Sequence, residues 1–126
     1  MLRRIQPKAV PASKAPFSQV VMDDHYAFLS GLVAADFPDG QAVLGDVAAE
    51  TRAVLTAVRD TLGEIGLGMD RIVRVDVHLA DLDNFDAMDR AYGEFFGAGS
   101  YPARTTTESR RLFGNSLVEI TCQARL

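Results

Sequence analysis

The chain predicts an α+β two-layer sandwich, and three observations carry that prediction. Two stretches, residues 47–65 and 85–96, repeat apolar residues at three- and four-residue steps, as helices with one buried face do. Residues 71–79 and 117–124 alternate side chains with the two-residue period of half-buried strands. The elements run in the order β-β-(short β)-α-β-α-β-β, and two amphipathic helices can cover only one face of such a sheet. With 126 residues, the chain reads as a single domain over 1–126, long enough to bury a sizeable core.

Residues 1–16 hold three of the five prolines and read as an extended lead-in, with a short edge strand at Arg3 to Gln6. Phe17 to Met22 and Tyr26 to Val33 read as two strands. The polar link Asp23-Asp24-His25 makes them a hairpin. Ser30-Gly31 interrupts the second strand, the mark of a bulge or of a close backbone approach. Phe37-Pro-Asp-Gly-Gln41 reads as a turn. Asp46 then caps a helix whose apolar face is Val47, Thr51, Val54, Leu55, Val58, Leu62 and Ile65, with Glu50, Arg52, Arg59, Asp60 and Glu64 on the other side. Gly63-x-x-Gly66-x-Gly68 closes this helix instead of opening one, so it is a helix stop and not a phosphate loop.

In the strand Arg71 to Leu79, Val73, Val75, Val77 and Leu79 share one face, opposite Arg74, Asp76 and His78. His78 is thus a sheet-face residue with no positioned partner. Asp81 or Asp83 caps a second helix lined by Phe85, Met88, Tyr92, Phe95 and Phe96, a core stripe. Tyr101-Pro102 forces an extended lead into a strand over Ala103 to Ser109. Gly114-Asn115 supplies a turn, and the final strand sets Val118, Ile120, Cys122 and Ala124 opposite Leu117, Glu119, Thr121 and Gln123.

Apolar residues make up 48% and charged residues 24%, within the globular range. The net charge of −4 and the pI near 5.0 argue against a general nucleic-acid binder, which presents a basic face. One cysteine, Cys122, excludes an intrachain disulfide and fits a buried apolar role. Two distant histidines without ligand spacing point to no metal. No secretory signal or membrane-spanning stretch is read, so the expected compartment is the cytoplasm.

Chemistry concentrates in the last quarter. Arg104 opens one strand, and Glu119 sits in another between apolar neighbours, where a carboxylate is costly unless it is paired or hydrogen-bonded. If both strands lie in one sheet, the two side chains come near each other. Two outcomes fit that pair: a small acid-binding, water-activating site, or an ion pair without chemistry.

Eight short motifs then appear in order: Pro16-Phe-Ser-Gln19, Leu29-Ser-Gly31, Leu62-Gly-Glu-Ile-Gly66, Val73-x-Val-x-Val77, Asp81-Leu-x-x-Phe85, Tyr92-x-x-Phe-Phe96, Pro102-Ala-Arg-Thr105 and Val118-Glu-Ile120. Together they resemble the RidA (YjgF) family over essentially the whole chain. The resemblance implies a chorismate-mutase-like fold, with a mixed six-stranded sheet carrying two helices on one face. It implies a homotrimer built around a central barrel, with clefts between subunits. The implied activity is hydrolysis of reactive 2-imino acids or enamines to 2-oxo acids and ammonia, with no metal or organic cofactor and no nucleic-acid or membrane partner. By the same resemblance Arg104 binds the substrate carboxylate and Glu119 orients the attacking water. Ser30, Gly31, Thr106 and the position of Asp89 line the pocket, and Phe17 comes from the neighbouring subunit.

The chain departs from the family pattern at several of these positions. Phe17 stands where Tyr is usual, Leu32 for Gln, Ala57 and Asp89 for Asn, and Thr106 for Cys. The alternative function is a member of the family that binds small carboxylic acids without turning them over. A ribonuclease activity, often attached to the family, is disfavoured by the acidic pI and the lack of a basic patch or His pair.

Overall fold

The computed structural model describes residues 1–126. Its strands are β1 (Arg3–Ile5), β2 (Val20–Met22), β3 (Tyr26–Leu29), β4 (Leu32–Val33), β5 (Ile72–Leu79), β6 (Ala103–Glu108) and β7 (Val118–Arg125). The helices are α1 (Pro38–Gln41), α2 (Val47–Glu64) and α3 (Phe85–Gly93). The sheet runs β1-β2-β3-β7-β5-β6, with β4 also paired to β7. Every pairing is antiparallel except β5 with β6, so the sheet is mixed. That parallel pair needs a crossover, and α3 provides it.

The long helix starts where the sequence places it. Asp46 accepts from the Ala49 N–H at 3.1 Å, occupying one of the donors left free in a helix's first turn. Its stop is also as expected: Gly66 adopts φ +80 just beyond the last turn, a conformation that glycine takes without a Cβ clash. Val54, Leu55, Val58 and Leu62 of α2 pack with Met88 and Tyr92 of α3 over Val75, Val77, Leu79, Val118, Ile120 and Cys122 of the central strands. Each fully buried aliphatic side chain there stabilises the fold by roughly 1.5–3 kcal/mol. Cys122 belongs to this core, and burial pushes its thiol up to about 12.

Several sequence expectations are corrected. Ser30-Gly31 splits the Tyr26–Val33 run into two strands, so the sheet has seven strands where six were expected. Ala27 pairs with Ala124, but Leu32 pairs with Ile120, a register one residue out of step. That single extra residue is a bulge. Phe17 lies outside β2, which begins at Val20. Phe37–Gln41 is not a simple turn: Pro38 opens a one-turn helix, and Gly40 packs against the backbone of Ala34 so closely that no side chain fits.

A second bulge, between Ile72 and Arg74, turns Val73 out to solvent and Ile72 in, reversing the alternation expected there. Asp81 caps a 3-10 turn at Leu82–Asn84 and not α3 itself. The helix α3 ends at Gly93, so Phe95 and Phe96 reach the core from the turn that follows.

Glu50 is the largest departure. Expected on the solvated face, it is fully buried. Its two oxygens accept from the Gly45 N–H and the Leu117 N–H, each at 2.8 Å. Those loop donors need an acceptor away from water, and a carboxyl group on the inner face of α2 supplies it.

Candidate active site

Arg104 is held by α3. Phe85, Asp89 and Tyr92 recur at four- and three-residue steps and therefore share one helix face. The Arg104 guanidinium lies 4.7 Å from the Tyr92 ring centroid and 5.6 Å from that of Phe85. Stacking on aromatic faces suits a planar delocalised cation. Arg104 Nη1 comes within 2.7 Å of Asp89 Oδ1. The Arg104 side chain is 21% exposed and that of Asp89 44%, so the pair sits at the rim of a cavity and not inside the core. This cavity, about 310 Å³, is lined by Asp89, Tyr92, Gly93, Tyr101, Pro102 and Arg104.

Beneath the pair, the Tyr92 hydroxyl is buried next to the Arg104 guanidinium without a hydrogen bond of good geometry. Burial pushes its pKa up to about 12, and the nearby Arg104 charge opposes part of that rise. An unpartnered buried hydroxyl is unusual, because its desolvation goes uncompensated. Sequence reasoning put Tyr92 in the core stripe and missed this polar end. The only available signal was that a Tyr, and not a Phe, faces the strand that carries Arg104.

Glu119 lies elsewhere. It pairs with His78 across β5–β7, and Arg104 pairs with Val75 across β5–β6. Directly paired residues point to the same face. Val75 and His78 are three apart on one strand and point to opposite faces. Arg104 is thus on the helix side of the sheet and Glu119 on the other side, with β5 between their strands. The expectation that a shared sheet brings them near each other is corrected: within one chain they occupy different cavities.

The Glu119 cavity, about 440 Å³, includes Phe17, Gly31, Asp36 and Phe113 in its wall. The bulge explains Gly31. A Cβ there would lie 2.7 Å from Glu119 Oε2 and 3.0 Å from Thr121 Oγ1, so only a glycine lets the carboxylate lie against the backbone. Glu119 makes no ion pair, so it is not the partner that neutralises Arg104. Phe17 is half exposed at the mouth of this cavity. Ser30 points its hydroxyl away, donating to Ser18 O at 2.7 Å. Thr106 shares the face of Arg104, two residues along β6, but does not line the cavity. Asp36, which sequence reasoning did not select, accepts from the Val33 N–H at 3.3 Å, and burial raises its carboxyl above the usual range.

The residues singled out from the sequence therefore fall into two separate cavities. Arg104 and Asp89 form a fixed charge pair over an apolar floor, suited to gripping a small charged group. Phe17, Gly31 and Glu119 form a carboxylate-bearing hollow, suited to holding a water.

Residues 7–126 match the family model described as Endoribonuclease L-PSP. The chain is 33% identical to a RutC family protein of Synechocystis sp., over 99% of this chain and 97% of that one. It is 34% identical to the 2-iminobutanoate/2-iminopropanoate deaminase of Capra hircus, over 95% of this chain and 88% of that protein. The crystal structure of E. coli TdcF with bound serine superposes with a TM-score of 0.87 at 25% identity, covering 98% of each chain. The motifs, the mixed α+β sheet and these matches agree, and the chain belongs to the endoribonuclease L-PSP family, which includes the Rid and RutC proteins.

Proposed function

We propose that this protein hydrolyses reactive 2-imino acids, and enamines that tautomerise to them, giving 2-oxo acids and ammonia. The site is a cleft between two copies of the chain in a homotrimer, with Arg104 from one copy and Glu119 from its neighbour. The observation that carries this reading is the placement of Arg104, a stacked guanidinium presented to a small cavity, in a chain whose relatives include imine deaminases. The division of the site residues between two cavities supports a cleft that needs both surfaces.

The chemistry requires little of the protein. A guanidinium fork takes a planar carboxylate in two parallel hydrogen bonds, fixing the imine carbon in place. Glu119 accepts a proton from water as its oxygen bonds to that carbon and the C=N π pair moves to nitrogen, giving a carbinolamine. Transfer of a proton to nitrogen then lets the C–N bond break. The hydroxyl loses its proton, the C=O forms and ammonia leaves, so one water is consumed for each ammonia released. The floor of Tyr92 and Phe85 keeps the guanidinium oriented between turnovers.

The direct test is Arg104→Ala, with 2-iminobutanoate generated in situ. The variant retains the wild-type assembly mass and loses the acceleration of imine decay, by roughly a hundredfold or more, since anchoring of this kind dominates such a reaction. Undiminished hydrolysis would contradict the reading. The Arg104–Asp89 pair favours one second reading, a carboxylate-binding protein without turnover. Thermal protection by a 2-oxo acid with no deamination at any imine concentration would establish that instead.

A further inference from the structure

The free site already contains an anion where the incoming acid must place its own. Asp89 Oδ1 lies 2.7 Å from Arg104 Nη1, and both groups open onto the same cavity. Asp89 lies on the face of α3 between Phe85 and Tyr92, with its carboxylate beside Arg104. A ligand carrying only a carboxylate meets a guanidinium already neutralised, and its negative charge lies beside a fixed carboxylate. A ligand with a positive nitrogen next to its carboxylate meets the opposite situation. Its carboxylate faces Arg104, its nitrogen faces Asp89, and four charges alternate around a small ring.

We propose that Asp89 is a specificity-determining residue that makes this pocket select acids bearing an adjacent cationic nitrogen over acids that lack it. This rests on the reading of Arg104 as the carboxylate anchor. It identifies the substrate form as the protonated iminium of the 2-imino acid, a zwitterion. It also separates substrate from product, because the 2-oxo acid differs from the iminium by the loss of that one positive nitrogen. Once ammonia has gone, the remaining anion is next to Asp89 with nothing to offset the repulsion, and Asp89 reclaims Arg104. An asparagine at this position, the residue the family resemblance gives, has no charge and provides neither the attraction nor the expulsion. Tyr92 and Phe85 keep water from the side of the guanidinium on which they stack, so the charges are screened less than in open solvent.

The experiment uses a matched pair of stable probes with the same carbon skeleton, 2-aminobutanoate and 2-oxobutanoate, titrated calorimetrically into the assembled protein. Wild type binds the amino acid more tightly than the oxo acid. Asp89→Asn, isosteric and half exposed, strengthens 2-oxobutanoate binding by roughly tenfold and weakens 2-aminobutanoate, as expected for removing one neighbouring charge in a partly desolvated site. Asp89→Ser, which also removes the charge, shifts the preference in the same direction, and an unchanged melting curve confirms that both variants fold. A wild type that binds the oxo acid more tightly, or that fails to bind the amino acid, overturns the proposal. So does a preference that neither variant changes. Arg104→Ala separates the two levels. If it leaves both affinities intact, the anchoring role of Arg104 fails. If it abolishes both while the Asp89 variants change nothing, only the role of Asp89 fails.

Discussion

At Asp36 a carboxyl group shares a cavity wall with Glu119, and burial raises its pKa, partly opposed by the Val33 N–H that it accepts. The sign of the consequence is fixed by linkage. Between the unfolded and folded pKa values, the folded protein holds the proton more tightly, so stability falls as pH rises through that window. Asp36→Asn keeps an acceptor for Val33 and removes the titration. The variant therefore gains stability relative to wild type at pH 7 and loses that gain below pH about 3.5, where both Asp36 states are protonated. Melting curves at the two pH values check this, and an equal difference at both would contradict it. Asp36 was not legible as a neighbour of Glu119 because it lies far from it in sequence, and only the β4–β7 pairing brings its neighbourhood there. Arg104 and Glu119 stand out in the sequence because a charge inside a β-like run is conspicuous.

The elements followed the sequence closely where one periodicity applied and departed where two requirements met at one position. Asp46 and Gly66 delimit α2 as their chemistry demands. Glu50 was assigned to the solvated face because its side chain is charged, yet it lies three residues before Ala53 and four before Val54, on the inward side. Its burial follows from the loop donors at Gly45 and Leu117, which no local pattern reveals. Glu50→Ala leaves both N–H groups unpaired away from water and costs about 3–5 kcal/mol. Chemical denaturation checks that value, and a loss below about 1 kcal/mol would show that water replaces the carboxyl. Val73 was misplaced for a related reason. The two-residue period sets it beside Val75, but the extra residue at the bulge between Ile72 and Arg74 turns Val73 out and Ile72 in.

For the whole molecule, the decisive fact is that β5 separates β6 from β7 and places Arg104 and Glu119 on opposite faces of the sheet. The order of elements was readable from the sequence. The order of strands within the sheet was not, because long-range pairing leaves no local trace. No helix is long and apolar enough to cross a membrane. Under the proposed function, one catalytic site draws Arg104 and Glu119 from two different copies. Mixing Arg104→Ala with Glu119→Ala tests it most directly. Each variant alone is inactive, and equal amounts unfolded and refolded together form mixed trimers in which about one cleft in four receives an intact Arg104 and an intact Glu119. The expected result is recovery of about a quarter of wild-type imine hydrolysis. No recovery, in mixed assemblies verified by mass, would mean that the two residues do not act together in one shared cleft and would contradict it.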